Sequence, residues 1–189
     1  NADNQVKIAS EGGIPPLISL LRDGSAEGKV QAARALLNLA ANADNEVKIA
    51  SEGGIPALIS LLREGSAEGK VQAARALLNL ACNADNEVKI ASEGGIPPLI
   101  SLLRDGSAEG KGQAARALYN LACNADNQVK IASEGGIPAL ISLLRDGSAE
   151  GKGQAADALC NLAANADNQV KIASEGGIPP LISLLRDGS

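Results

Sequence analysis

The chain repeats itself every 41 residues. The segment that begins at Asn1 returns four times, at Asn42, Asn83, Asn124 and Asn165. The four full copies are residues 1–41, 42–82, 83–123 and 124–164, and a partial copy follows at residues 165–189. A fixed period of this length is typical of solenoids, propellers and other arrays of small units. We therefore expect a single elongated domain over residues 1–189, in which each copy packs only on its neighbours.

Each copy predicts helices rather than strands, because the period-2 alternation of half-buried strands is absent. The first helix is expected from Asp3 to Glu11, with Asp3 as its N-cap and Gly12-Gly13 as its end. A second helix begins near Pro15, where a missing N–H group does no harm, and stops at Gly24. Its apolar residues recur at helical spacing: Ile14, Leu17, Ile18 and Leu21.

The third helix is the longest of the copy. Ser25 is its predicted N-cap, Glu27 suits the positive end of the helix dipole in the first turn, and the helix is expected to run to about Ala41. Four apolar residues form its predicted buried side: Ala32, Ala35, Leu36 and Leu39.

Three motifs give the chain a family resemblance. They are Gly12-Gly13-Ile14-Pro15, Leu17-Ile18-Ser19-Leu20-Leu21 and the pattern A-L-x-N-L-A that begins at Ala35. A short helix and two longer ones with these motifs resemble the armadillo repeat, with HEAT-type helix pairs as a distant alternative. The resemblance implies an all-α fold, a right-handed α-solenoid whose third helices line a concave groove. Because 34 of the 41 columns are identical in the four full copies, the sequence favours a consensus-designed array over a recent gene duplication.

The copies differ in seven columns, and four of these lie in the third helix. In copy order these four columns read Val30, Val71, Gly112, Gly153; Arg34, Arg75, Arg116, Asp157; Leu37, Leu78, Tyr119, Cys160; and Ala41, Cys82, Cys123, Ala164. At about 100° per residue they fall within about 60° of one another, almost opposite the predicted buried side. The sequence therefore predicts a variable stripe that points away from the core, and the resemblance places that stripe in the concave groove.

The stripe predicts a binding surface. Its apolar members in the first two copies, Val30, Leu37, Val71 and Leu78, would form an exposed apolar patch, which usually marks an interaction site. Glycine in a helix costs about 1 kcal/mol, so the two glycines that replace valine suggest a notch. The predicted notch lies at Gly112 and Gly153 and is flanked by Arg116, Tyr119, Cys123, Asp157 and Cys160. Alternatively, the glycines are inherited variation, Arg116 pairs with Asp157, and Tyr119 was added for its absorbance.

One invariant column at the edge of the stripe carries asparagine: Asn38, Asn79, Asn120 and Asn161. In armadillo proteins the matching asparagines hold the backbone of an extended peptide, and the alternative is that they only bridge neighbouring helices. The family's peptide binders carry a tryptophan four residues earlier, where this chain has the arginine column that ends in Asp157. We therefore expect an acidic or apolar extended peptide or a protein as the partner, rather than a basic peptide.

Several other functions are disfavoured by composition. The chain has no His and a net charge of −5, so we expect no imidazole chemistry and no nucleic-acid partner. Its apolar runs are too short for a membrane partner, and no targeting signal is visible. Three scattered cysteines predict neither a zinc site nor a disulfide framework, and no cofactor is expected.

Two rival functions stay open beside the binding module. One is a purely structural, self-assembling scaffold, because the chain carries no polar capping copies and a second copy of itself is a possible partner. The other, more remote, is a small-molecule pocket or a catalyst based on Cys160, which would lack the usual histidine base. We expect no enzymatic activity.

Overall fold

The computed structural model describes the backbone of residues 2–187 and the side chains of residues 4–186, and within these ranges its regular structure is entirely α-helical. The first helices of the copies are α1 (Ala2–Ser10), α4 (Ala43–Ser51), α7 (Ala84–Ser92), α10 (Ala125–Ser133) and α13 (Ala166–Ser174). The second helices are α2 (Ile14–Asp23), α5 (Gly54–Glu64), α8 (Ile96–Asp105), α11 (Gly136–Asp146) and α14 (Ile178–Asp187). The third helices are α3 (Ala26–Leu39), α6 (Ala67–Leu80), α9 (Ala108–Leu121) and α12 (Ala149–Leu162). The predicted fold class and the three helices per copy are confirmed.

The N-caps of the first helices lie two residues before the predicted position. From the second copy onward the cap is the asparagine that opens the copy, so that Oδ1 of Asn42 accepts a hydrogen bond from the backbone N–H of Asn45 at 3.2 Å. The expectation that the aspartate two residues later is the cap is wrong, since its equivalent Asp44 lies in the first turn of α4. The side chain of Asp3 itself lies outside the described residues. A short polar side chain suits both positions, and the sequence pattern alone does not separate them.

The third helices begin as predicted and end two residues early. Ser25 Oγ accepts from the backbone N–H of Gly28 at 3.1 Å, and the same bond recurs in every full copy. The helix ends at Leu39, whose carbonyl oxygen accepts from Nδ2 of Asn45 at 3.1 Å. The asparagine of the following helix therefore satisfies a carbonyl group that the end of the helix leaves without an internal partner.

The residue at which the second helix begins alternates from copy to copy. It depends on whether Ile-Pro is followed by a second proline or by alanine. In the second and fourth copies, Pro-Ala allows the helix to begin at glycine, as α5 does at Gly54. In the other copies a second proline, as at Pro98, removes the N–H group that would extend the ladder, and α8 begins one residue later at Ile96.

The core lies between the second and third helices of each copy and continues into the next copy. Leu36 and its equivalents in the later copies are at most 1% exposed. Ala76, Ala117 and Ala158 are likewise buried, whereas their equivalent Ala35 in the first copy is only partly buried. This column therefore packs on the third helix of the preceding copy, as expected where each unit completes its neighbour's core. Across the described residues, no helix is both long and apolar enough to cross a membrane.

Candidate functional site

The third helices pack side by side along the chain, α3 on α6, α6 on α9 and α9 on α12. Val30 and Val71 lie in these contacts and are each 6% exposed, and Leu78 is 8% exposed. The expectation of an exposed apolar stripe is therefore wrong for these three residues. The valine column lies on the flank that faces the next copy, where Cγ2 of Val71 is within 3.5 Å of the position of a Cβ atom on Gly110.

The exposed surface of the third helices carries two rows of charge, and we call it the third-helix face. One row, the arginine row, consists of Arg34, Arg75 and Arg116, followed by Asp157 in the last full copy, and all but the half-buried Arg75 are exposed. The other, the glutamate row, is also exposed and consists of Glu27, Glu68, Glu109 and Glu150. The glutamate row was not predicted as part of the binding surface, because that prediction rested on columns that differ between copies. Its position about 60° from the valine column nevertheless places it on the same face.

The two rows meet at one point in the described part of the chain. Nη1 of Arg75 lies 3.9 Å from Oε1 of Glu109 in the next copy, an ion pair that is largely open to solvent. No ion pair joins Arg116 to Asp157 among the described residues. The alternative that these two residues pair across adjacent copies is therefore wrong, and both remain exposed on the face.

The asparagine column bridges neighbouring copies. Nδ2 of Asn79 donates to the carbonyl oxygen of Leu37 at 3.3 Å. Asn120 donates in the same way to Leu78, and Asn161 to Tyr119, each at 3.0 Å. The asparagines therefore do bridge neighbouring helices, and whether they also hold a peptide is a separate question. The bridges use only the amide nitrogen, and among the described residues no hydrogen bond to Oδ1 of these three asparagines is seen.

Tyr119 and the three cysteines also lie on the third-helix face. Tyr119 is 39% exposed, and Cys82, Cys123 and Cys160 are exposed free thiols. Partial burial, followed by the nearby Glu46 carboxylate, raises the pKa of Cys82, and burial followed by Glu87 raises that of Cys123. These two thiols are therefore poor nucleophiles at neutral pH. The described residues contain no cluster of three or more His, Cys, Asp or Glu side chains that could hold a metal ion.

Another of the varying columns lies on the first helices. It carries glutamate in the second and third copies and glutamine in the others. Nε2 of Gln128 donates to the carbonyl oxygen of Ala122 at 2.9 Å, at the end of α9, and Gln169 makes the equivalent bond at 2.8 Å. Glu46 and Glu87 occupy the same column, and a carboxylate cannot donate to such a carbonyl. Burial raises the pKa of both glutamates, and Glu87 is only 9% exposed.

A cavity lies beside Gly112, at the position where the first two copies have valine. It lies between the first turns of α9 and α12, has a volume of about 200 Å³, and is lined by Glu109, Gly112, Gln113, Glu150 and Gln154 among others. We call it the α9–α12 cleft. None of the predicted flanking residues lines it (Arg116, Tyr119, Cys123, Asp157 and Cys160), and neither does Gly153. The cleft therefore shares only Gly112 with the predicted notch, and it extends from there toward the start of the third helices rather than toward the predicted flanking residues.

The two glycines are not equivalent. A Cβ atom on Gly112 would clash with Oε1 of Gln154, whereas a Cβ atom on Gly153 would meet no described atom within 4 Å. The difference arises because the side chain of Gln154 folds over Gly112, and Gly153 has no following third helix to cover it.

The third helices pack on one another in a row and share one exposed charged face, which defines the molecule as a helical solenoid built of repeated units. The family model of the armadillo/beta-catenin-like repeat matches residues 1–41, 42–82, 83–123 and 124–164, and the chain belongs to this family. A search of curated proteins gives no significant match.

The solved structures similar to the chain include engineered armadillo proteins. The chain is 33% identical to an engineered protein whose crystal structure it matches with a TM-score of 0.93, covering 98% of this chain and 76% of that one. It is 32% identical, with a TM-score of 0.91, to computationally designed armadillo repeat proteins for modular peptide recognition, over 96% of this chain and 78% of that one. It is 31% identical, again with a TM-score of 0.91, to a designed armadillo repeat protein in complex with the peptide (KR)4, over 97% and 79%.

Proposed function

We propose that the chain is a non-enzymatic scaffold that binds an extended peptide along the third-helix face. The observation that carries the proposal is the arginine row, three cationic side chains presented at the same position of three adjacent helices. Parallel helices of this kind pack about 8–10 Å apart, so side chains spaced along an extended peptide can meet successive arginines. The similarity to armadillo repeat proteins designed for modular peptide recognition supports a peptide as the partner.

The backbone of the peptide would be held by the asparagine column. The Oδ1 atoms of Asn79, Asn120 and Asn161 can accept hydrogen bonds from peptide N–H groups while Nδ2 stays bound to the preceding helix. Bridging and peptide binding are therefore compatible, because Nδ2 bonds to the preceding helix and Oδ1 is left for the peptide.

The charges of the face define which peptide suits it. Acidic side chains would pair with the arginine row, and the change to Asp157 in the fourth copy would favour a basic or neutral residue at that end. The glutamate row is about two turns away along each third helix and would disfavour a peptide that is acidic at every position. We therefore expect an extended peptide that alternates acidic and apolar residues to bind more tightly than (KR)4.

The proposal is tested by titrating fluorescently labelled peptides and measuring anisotropy at two salt concentrations. Replacing the three arginines together (R34Q, R75Q and R116Q) should weaken binding of the alternating acidic peptide by at least tenfold, about 1.4 kcal/mol, and should flatten its salt dependence. The matched control is K29Q, K70Q and K111Q, which removes the same charge from the same helices on another flank. Equal losses in both triple variants would refute a role for the arginine row and leave only attraction to net charge.

A further inference from the structure

The first helices carry a row of exposed valines, one in each copy, that the third-helix face does not include. Three of them lie inside the array with packed copies on both sides, and they are still 57%, 52% and 54% exposed (Val47, Val88 and Val129). Neighbouring copies therefore leave this row open, whereas they bury the valines of the third helices. We call the exposed surface around the row the first-helix face. The whole row consists of Val6, Val47, Val88, Val129 and Val170.

The first helices are held side by side by hydrogen bonds between copies. Nδ2 of Asn127 donates to the carbonyl oxygen of Glu87 at 3.3 Å, and Nζ of Lys89 donates to that of Ala50 at 2.6 Å. Bonds of both kinds recur in the last copy. Helices packed in this way lie about 8–10 Å apart, so the valines are presented at a nearly constant spacing on a fixed backbone.

Carboxylates border the valine row on both sides. Asp44 stands three residues before Val47 and Glu52 five residues after it, and both are exposed, as are their equivalents in the later copies. At 1.5 Å per residue the two borders lie about 4.5 Å and 7.5 Å from the row along each helix. Lys48 between them donates to a carbonyl oxygen of the preceding first helix. Among the described residues from the second copy onward, no ion pair engages either carboxylate border.

We propose that the first-helix face binds a basic amphipathic helix of a partner protein, laid across the first helices along the array. Such a helix presents an apolar stripe with cationic side chains on both of its flanks, which complements a valine row between two carboxylate borders. Residues seven apart in a helix share a face and lie about 10.5 Å from each other, close to the spacing of the first helices.

An extended peptide suits this surface less well. Its successive side chains point to opposite faces, so its charges would point away from the protein when its apolar residues meet the valines. The proposal does not depend on the function proposed above, because it uses other helices and the opposite charge.

The test titrates the protein into a fluorescently labelled peptide of about 28 residues, about 42 Å long as a helix, and measures its anisotropy. The peptide carries leucine along one helical face and lysine on both flanks of that face. It should bind saturably and gain helicity, which circular dichroism measures. A peptide of the same composition in scrambled order, which has no apolar face, should bind about tenfold more weakly or less.

The valines are tested by a triple variant that keeps the shape of the row and adds hydroxyl groups. Because these side chains are exposed, the variant should stay folded, which its own circular dichroism checks. It should weaken binding of the amphipathic peptide about tenfold or more. The variant combines V47T, V88T and V129T.

The carboxylates are tested by two matched triple variants that each remove three negative charges. The first changes the border of the valine row and should weaken binding about tenfold, with a flatter salt dependence; it combines D44N, D85N and D126N. The second changes the ends of the second helices and should alter binding by less than about twofold; it combines D23N, D105N and D146N.

Several results would overturn the proposal. Equal losses in the two aspartate variants, or equal binding of the scrambled peptide, would leave only attraction to net negative charge. Unchanged binding to the valine variant, binding without a gain in helicity, or no saturable binding would each contradict a helix on the valine row. A loss of binding in the triple arginine variant described above would place the peptide on the third-helix face instead.

Discussion

Glu87 occupies a position that suits an amide better than a carboxylate. In the equivalent position Gln128 is nearly as buried and donates to the end of the preceding third helix. A carboxylate there faces carbonyl oxygens and the negative end of the helix dipole, and both disfavour its charge. The charged form of Glu87 therefore stabilises the fold less than its protonated form does.

The first prediction is that E87Q stabilises the chain at neutral pH. Because burial raises the folded-state pKa of Glu87, its stabilising contribution is complete below the unfolded pKa and is lost as the pH rises through the folded pKa. The glutamine should therefore gain about 1 kcal/mol at pH 7, the value of one hydrogen bond, and the gain should shrink toward about pH 4. Urea denaturation at several pH values measures it.

The reciprocal variant Q128E controls for the position. It removes the hydrogen bond to Ala122 and should lose a similar amount at pH 7. An advantage of E87Q that is equal at pH 4 and pH 7 would mean that the charge of Glu87 is not what destabilises the fold.

At the scale of the element, the third helices of the last two copies each carry a glycine in their interior. Gly112 is covered by Gln154, and Gly153 borders open space. The same substitution therefore has two different consequences in two nearly identical helices.

The second prediction concerns these glycines. G153A should raise the free energy of unfolding by about 0.5–1 kcal/mol, the difference in helix propensity. G112A should gain clearly less, because its Cβ atom displaces the Gln154 side chain and breaks its bond to Glu150. Thermal or urea unfolding of both variants measures the difference, and equal gains would show that Gln154 moves aside at no cost.

The presence of the three helices and most of their ends were predictable because helix starts and stops depend on local chemistry, although the cap of the first helix and the end of the third were misplaced by two residues. Ser25 and Gly24 marked their positions correctly, since capping and the exit of the chain depend on neighbouring residues alone. The burial of Val30 was not predictable from the helix alone. An angle around one helix separates its core side from its opposite side, but it does not show where the adjacent copies touch its flanks.

At the scale of the whole molecule, one part of the candidate site was predictable from the sequence and another part was not. The exposure of Arg116, Tyr119 and Cys160 followed from the helical period. The α9–α12 cleft did not follow from the helical period. It depends on the side chain of Gln154, which reaches Gly112 in the preceding copy. Because the glutamine column is invariant, the sequence gives no sign of this contact. The glutamate row was not predicted for the same reason: it is invariant, and the predicted binding surface was derived from the columns that vary.

The third prediction is that the 189-residue polypeptide self-associates. Ile8 is 47% exposed, although its equivalent in the second copy, Ile49, is fully buried, and Ile178 is 50% exposed although Ile14 is fully buried. Apolar surface that neighbouring copies cover elsewhere favours end-to-end contacts. Light scattering over a range of concentrations should show a rising apparent mass, which I8K should reduce, and a constant monomer mass would contradict this expectation.

Tyr119 offers the most direct test that the partner lies on the third-helix face. It is the one aromatic residue of the chain, is 39% exposed, and lies on that face beside the asparagine column. Titration with the unlabelled alternating acidic peptide, which itself lacks aromatic residues, should change tyrosine emission saturably, with the same midpoint as the anisotropy measurement. Binding seen by anisotropy without any change in Tyr119 emission would contradict the account, because the peptide would then lie elsewhere on the molecule.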